Sequence, residues 1–380
     1  MNLLRIIHGD ILQQLLNYKH VQVVFGPRQS GKTSLAQSVI AASGMRWLSL
    51  NGDKGEDVEL LSSPTDLRLK GLVQGYDALF IDEAQRIPEI GLTLKRLHDQ
   101  YSNIRLLVTG SSSLETGDRV REALTGRTRT WTLFPIAAPE LSQIYSPLEL
   151  DRQLDDLMVL GMYPALLSIP NRGERIAHLK ELSDAYLYRD ILDLSGIRNP
   201  RKLRDLLRLL SYQLGSEVSF HELGTQCGLS TDTVISYIDL LEKSFVVFRL
   251  GAWSRNLRKE VSKKCKIYFV DNGVRNAVID NFKDLSLRND VGALWENFLV
   301  SERLKYNANS RSWASSWFWR LQTGAEIDYL EDKDGHLSAY EFKWGSKLPK
   351  VPASFASGYP DHSFTVVNRE NWQKFVGVNI

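Results

Sequence analysis

One octapeptide restricts what this chain can fold into more than any other stretch: Gly26-Pro27-Arg28-Gln29-Ser30-Gly31-Lys32-Thr33, which reads G-x-x-x-x-G-K-[ST]. The residues before it, Val21 to Phe25, form a β-branched and aromatic run, as a buried strand does. Those after it, Ser34 to Ile40, place Leu35, Val39 and Ile40 on one helical face. A strand, a glycine-bounded loop and a helix in that order make a phosphate site. The backbone N–H groups from Gly26 to Ser34 and the positive end of the helix would cradle phosphate oxygens. Lys32 is expected to reach the β- and γ-phosphates of ATP, and the Thr33 hydroxyl to bind Mg²⁺.

Composition excludes little else. Hydrophobic residues at 43% and charged residues at 24% are ordinary for a globular chain, and a net charge of +2 gives no global field to attract nucleic acid. The two cysteines, Cys227 and Cys265, stand far apart without metal-ligand spacing, which fits a reducing compartment. The N-terminus lacks a signal-peptide core, and no apolar run approaches the roughly 18 residues of a membrane helix. A cytoplasmic protein without a membrane partner is the expectation.

Ala78-Leu79-Phe80-Ile81-Asp82-Glu83 predicts a buried parallel strand that ends in two acids. Ligands sit at that end of an open α/β sheet. Asp82 would there hold Mg²⁺ through water, while Glu83 polarises the attacking water. Ile104 to Ser111 predicts a further strand with hydroxyls at its end, and Thr109 or Ser111 could contact the γ-phosphate or the attacking water. Asp10 to Lys19 reads as a helix, Met45 to Leu50 and Trp131 to Ile136 as strands, and 51–75 as one or two helices.

These three motifs resemble the AAA superfamily of ATPases over roughly the first 145 residues. The resemblance implies a γ-phosphate site completed by an arginine from a neighbouring subunit, hence a homo-oligomer, with a ring as one form. Arg127 is the first candidate, with Arg119, Arg121 and Arg129 nearby. No second-sensor arginine in a helical lid is evident, a departure from ring motors.

Beyond Glu149 the pattern turns helical, with helices expected over 173–194 and 200–214 and a hinge at 196–200. Phe220 to Cys227, a Gly228-Leu229-Ser230 turn and Thr231 to Lys243 read as a helix-turn-helix, with Val234, Ile235, Ile238 and Leu241 inward. Phe245 to Leu250 and Lys266 to Val270 would supply the two strands of a wing. Asp232, Asp239 and Glu242 make the second helix a poor groove reader. Two basic clusters argue for contact with the DNA backbone instead: Arg255, Arg258, Lys259, Lys263, Lys264 and Lys266, and Arg198, Arg201, Lys202 and Arg204.

In the last third, Val291 to Lys305 predicts an amphipathic helix with Leu294, Phe298, Leu299 and Leu304 apolar. Strands follow over 316–321, 326–330 and 337–344. Glu326 and Asp328 would share a face, as would Glu341 and Lys343. If the strands pair, Asp328, Glu341 and Lys343 converge, and two carboxylates with a lysine are what Mg²⁺-dependent phosphodiester cleavage requires. This set resembles the restriction-endonuclease-like superfamily. Ile327-Asp328 stands where Pro-Asp would, Glu341-Phe342-Lys343 matches Glu-x-Lys, and Glu296 matches a helix glutamate found in many members. Trp313, Trp317, Phe318 and Trp319 belong mostly to a core, with one available to stack on a base.

The whole order resembles a bacterial and archaeal family of AAA ATPases with a C-terminal domain of unknown function. Its landmarks here include Tyr188-Arg189-Asp190 and Phe269-Val270-Asp271-Asn272-Gly273. The expected fold is α/β: a doubly wound parallel P-loop sheet (1–148), a helical and winged-helix domain (149–284) and a small restriction-endonuclease-like domain (285–380). The expected function is ATP-driven remodelling, translocation or processing of branched or duplex DNA, in repair, recombination or defence. A regulatory switch whose winged helix binds proteins and whose last domain is inert is the competing expectation.

Overall fold

The structure, a computed structural model, describes residues 3–110, 124–185, 199–253, 265–321 and 323–378. Ser111, Arg119, Arg121, Tyr188-Arg189-Asp190, Arg198, the hinge at Gly196 and most of the first basic cluster (Arg255 to Lys264) lie outside them. The chain forms two compact units, Met1–Pro135 with Lys243–Phe245, and Ile136–Glu242 with Val246–Ile380. The first compact unit ends at Pro135, and position 284 lies within the second.

In the first unit, α1 (His8–Asn17), β1 (Val21–Phe25), α2 (Lys32–Ser43), β2 (Trp47–Asn51), α3 (Gly55–Leu61), α4 (Asp66–Val73), β3 (Ala78–Asp82), α5 (Ile90–Gln100), β4 (Arg105–Gly110) and β5 (Thr128–Thr132) follow in order. The strands form one parallel sheet, β2-β3-β4-β1-β5. Its apolar runs are continuous because both faces are covered. Val21, Val23 and Phe25 pack with Leu79, Ile81, Leu106 and Val108 under α3, α4 and α5. Val24, Phe80 and Leu107 pack on the other side with α1 and α2 through Ile11, Leu15, Leu35 and Val39. Gln22, buried among them, accepts from Trp131 Nε1 at 2.9 Å and donates to His20 O at 2.8 Å. The last strand begins at Thr128, three residues before the start expected from its apolar run, because register with β1 pairs Val21 with Thr128 and Phe25 with Thr132.

The second unit contains α6 (Ala138–Leu141), α7 (Pro147–Leu160), α8 (Arg172–Ala185), α9 (Pro200–Tyr212), β6 (Glu217–Val218), α10 (Phe220–Cys227), α11 (Thr231–Lys243, ending at the unit's edge), β7 (Val247–Ala252), β8 (Cys265–Phe269) and α12 (Asn272–Val278). It continues with α13 (Val291–Ser310), β9 (Ser315–Arg320), β10 (Glu326–Lys333), β11 (His336–Phe342), α14 (Ala353–Gly358), β12 (His362–Val367) and α15 (Trp372–Phe375). One seven-stranded sheet, β12-β11-β10-β9-β7-β8-β6, runs through it. The pair β7–β9 is parallel and fuses the two expected modules, with Gly251 opposite Trp317 and Ala252 opposite Phe318. Turn chemistry sets the helices locally. Ser219 caps α10 by accepting from Glu222 N at 3.3 Å, Gly228 ends it in the left-handed region, and Ser230 Oγ accepts from Thr233 N at 3.2 Å as α11 begins.

The long helix α13 departs from the amphipathic expectation. It runs to Ser310 and is buried on most sides, with Trp295, Asn297, Ser301, Glu302 and Lys305 inside along with Leu294, Phe298 and Leu299. Its charges misled the reading because they are paired internally. Lys305 Nζ donates to Glu302 Oε1 at 2.7 Å and to Ile136 O at 3.1 Å. Asn297 bridges Phe269 N, Phe269 O and Asn272 Oδ1. Arg303 donates to Glu331 at 2.8 and 2.5 Å, which pins the helix to β10.

Candidate functional site

The sequence motifs of the first unit meet at the C-terminal ends of β1, β3 and β4. Because β4 lies between β1 and β3, Thr109 stands between the phosphate loop and Asp82. The Thr33 hydroxyl donates to Asp82 Oδ2 at 3.0 Å, and the Thr109 hydroxyl donates to Asp82 Oδ1. Thr109 therefore orients the acid. Lys32 is buried, with Nζ donating to the carbonyls of Gly26 and Pro27 at 2.9 and 2.8 Å. Of the remaining loop positions, Pro27 and Ser30 are buried, Arg28 and Gly31 half-buried, and Gln29 and Ser34 exposed. Gly26 has φ +155°, and a Cβ there would lie 2.1 Å from Leu133 O at the end of β5, so only glycine fits.

Glu83 has φ +48°, so the chain leaves β3 through the left-handed region. Gln85 Nε2 donates to Glu83 Oε2 and holds that carboxylate. Arg5, 9% exposed, donates to Ser30 O in the loop and to Phe134 O beyond β5, each at 2.7 Å. Neither contact was legible in the sequence. Gln85 lay in an unremarkable stretch after the acids, and Arg5 is 129 residues from Phe134.

This donor set fits a nucleotide with Mg²⁺: hydroxyl and carboxylate oxygens from Thr33 and Asp82 for a hard cation, and an ammonium with the N-terminus of α2 for phosphate. Bound Mg²⁺ would neutralise phosphate charge. Glu83, fixed by Gln85, follows Asp82 at the end of β3. Arg127 is not part of this cluster. It precedes β5 at the opposite end of the sheet, where its Nε donates to Asp99 Oδ1 at 2.8 Å and holds that carboxyl down at about 2.

The second unit brings together the residues expected of a nuclease, together with two that were not. Lys343 Nζ donates to Glu341 Oε1 at 2.6 Å. Asp328, buried, accepts from Phe342 N at 2.8 Å. A bulge between Ile327 and Leu330 interrupts the pairing with β9 and re-aims this segment. Glu326 and Asp328 still act on the same groups, Lys266, Tyr268 and Glu341, and Glu326 also lies 3.6 Å from Arg320. Glu296 Oε1 accepts from Lys266 Nζ at 2.9 Å and from the Tyr268 hydroxyl at 2.6 Å. Burial drives the Glu296 carboxyl up to about 7, opposed by Lys266. Glu341 is also raised, by burial and by Asp328. Burial alone would lower Lys343, but Glu341, Asp328 and Glu296 raise it.

Lys266 corrects its place in the first basic cluster: it is 3% exposed and ion-paired inside the unit. The signal available was alternation along β8, where Lys266 and Tyr268 share a face. Two of the acids of α11, Asp239 and Glu242, are paired within the unit. Glu242 lies 3.2 Å from Arg249, which also pairs with Asp239. Arg201 and Arg204 are exposed on α9, whereas Lys202 donates to Gly228 O. Phe318 and Trp319 are core, Trp317 is half-buried, and Trp313 is 87% exposed.

Among the described residues no three of His, Cys, Asp or Glu are grouped to hold a metal ion, in either unit. Nor is any described helix long and apolar enough to cross a membrane.

Comparison with known proteins places the first unit beside a described domain family. Residues 18–142 match the AAA domain family. The first unit carries an AAA-type P-loop ATPase domain. Residues 151–285 and 291–378 match two domains of unknown function, DUF8612 and DUF4143. An uncharacterized protein of Mycobacterium tuberculosis is 27% identical over 354 residues, covering 92% of this chain and 76% of its own. An uncharacterized protein of Methanocaldococcus jannaschii is 23% identical over 373 residues, covering 92% and 81%. The solved Walker-type ATPase of Pyrococcus abyssi aligns with a TM-score of 0.48 at 12% identity, over 72% of this chain and 94% of that one.

Proposed function

We propose that this chain is an ATPase that acts on DNA, with a winged helix and a nuclease-derived module that contact the duplex or branched backbone. The ATP half rests on Lys32, Thr33, Asp82 and Thr109 gathered at one sheet end. In this reading Lys32 binds phosphate, Asp82 and Thr33 hold Mg²⁺, Glu83 activates water, and Thr109 links the acid to the γ-phosphate. Arg127, remote from its own loop, serves a neighbour in a homo-oligomer.

The DNA half rests on the connectivity of the second unit. Helix α9, β6, α10, α11 and the β7–β8 hairpin follow the order of a winged helix, with β6 on the far side of β8. Helix α13, the β9-β10-β11 meander, α14 and the parallel strand β12 follow the order of a restriction-endonuclease-like core. Internal pairing of Asp239 and Glu242 with Arg249 removes much of the repulsion that α11 would offer phosphate.

The test is ATP turnover by the full chain with branched, duplex and single-stranded DNA. Stimulation that disappears in Lys32→Ala supports the proposal. Turnover indifferent to all three DNAs would sink the DNA half and favour a protein-binding switch.

A further inference from the structure

One oxygen of Glu296 is doubly committed. Oε1 receives the Lys266 ammonium and the Tyr268 hydroxyl, while Gly215, at φ +72°, lies so close to Oε2 that a Cβ would come within 3.0 Å. On its other side the ammonium faces the Phe318 ring, 5.5 Å from the centroid. Asp328 and Glu326 also act on the charge of Lys266, and Asp328 acts on Glu296, Glu341 and Lys343. When ionised, three carboxylates (Glu296, Asp328, Glu341) offset by Lys343 alone would retain a charge of about −2, the complement of a divalent cation. Lys266 removes half of it from within the cluster.

We propose that Lys266 is a built-in counter-ion, supplied by the wing strand β8, that takes the place of a metal in the carboxylate cluster of the second unit. A buried ammonium beside Glu296 repels a second cation in a poorly screened interior. It also ties the wing hairpin to α13, so the cluster is closed by an element that precedes it in the chain. The unit then holds DNA without cleaving it.

This inference rests on the nuclease-derived reading of the unit, and divalent-cation binding tests it separately from DNA contact. The probe is Mn²⁺, followed by electron paramagnetic resonance on the full chain without nucleotide. All variants carry Asp82→Asn to silence the first unit. The parent should show no saturable Mn²⁺ site. Lys266→Met should gain one site per chain, at least tenfold tighter than any background binding, and Asp328→Asn added to it should abolish that site. Lys266→Arg should stay without Mn²⁺. Saturable Mn²⁺ in the parent that Asp328→Asn removes would overturn the proposal, and that arm needs no Lys266 variant to fold. A folded Lys266→Met chain that takes up no Mn²⁺ overturns it equally. Loss of DNA binding in none of the second unit's basic-residue variants would instead defeat the underlying reading, whatever Mn²⁺ shows.

Discussion

Replacing Arg5 by Ala tests how the phosphate loop is held. The guanidinium is 9% exposed and makes two charge-assisted hydrogen bonds of 2.7 Å, one to Ser30 O inside the loop and one to Phe134 O just past β5. A hydrogen bond to a charged group contributes about 1.5 kcal/mol at the lower end of its range, so losing two costs the first unit about 3 kcal/mol. The bond to Ser30 acts on the loop directly. Its share, about 1.5 kcal/mol, corresponds to roughly tenfold weaker nucleotide binding. Fluorescent ATP-analogue titration and thermal unfolding of the full chain, with and without MgATP, measure the two effects. Arg5→Lys retains the charge but has no fork to span both carbonyls, so it should fall between wild type and Arg5→Ala. If Arg5→Ala binds the nucleotide within twofold of wild type and melts at the same temperature, the bridge has no role in holding the loop.

Two further outcomes follow from the same geometry. Gly26→Ala places a Cβ 2.1 Å from Leu133 O, a backbone atom that cannot swing aside. Overpacking of this kind costs roughly 1–3 kcal/mol or more, so both melting temperature and ATP-analogue affinity should drop. Stability should also depend on pH through Glu296, whose carboxyl rises from 4.5 to about 7 in the folded chain. Its contribution is complete below pH 4.5 and is lost as pH rises through 7, a change of roughly 3 kcal/mol. In Glu296→Gln that slope should flatten in urea unfolding followed from pH 4.5 to 8; an unchanged slope would assign the dependence to other groups.

The elements of the first site were legible because each motif is contiguous. A strand, a loop and a helix over 21–40 declare themselves by local periodicity, and Asp82 and Thr109 stand at the ends of apolar runs. The two helices on either side of Gly228 were equally readable, since Ser219, Gly228 and Ser230 are capping and turn residues. The bulge at Asp328 and the burial of α13 were not. A strand pattern assumes unbroken alternation, and charged residues on a helix suggest a solvated face until their partners are known.

By itself the sequence determined which segments become strands and helices and which carry phosphate chemistry, because steric preference and hydrophobic period act between near neighbours. Tertiary structure alone decided which charges meet. Lys266 faces Glu296 from 30 residues away, and Arg5 reaches both Ser30 and Phe134. Burial makes such pairings obligatory, since a charge removed from water must find a partner, but the chain's order does not say which. The phosphate loop is therefore a local fact, whereas the closed carboxylate cluster comes from two expected modules sharing one sheet.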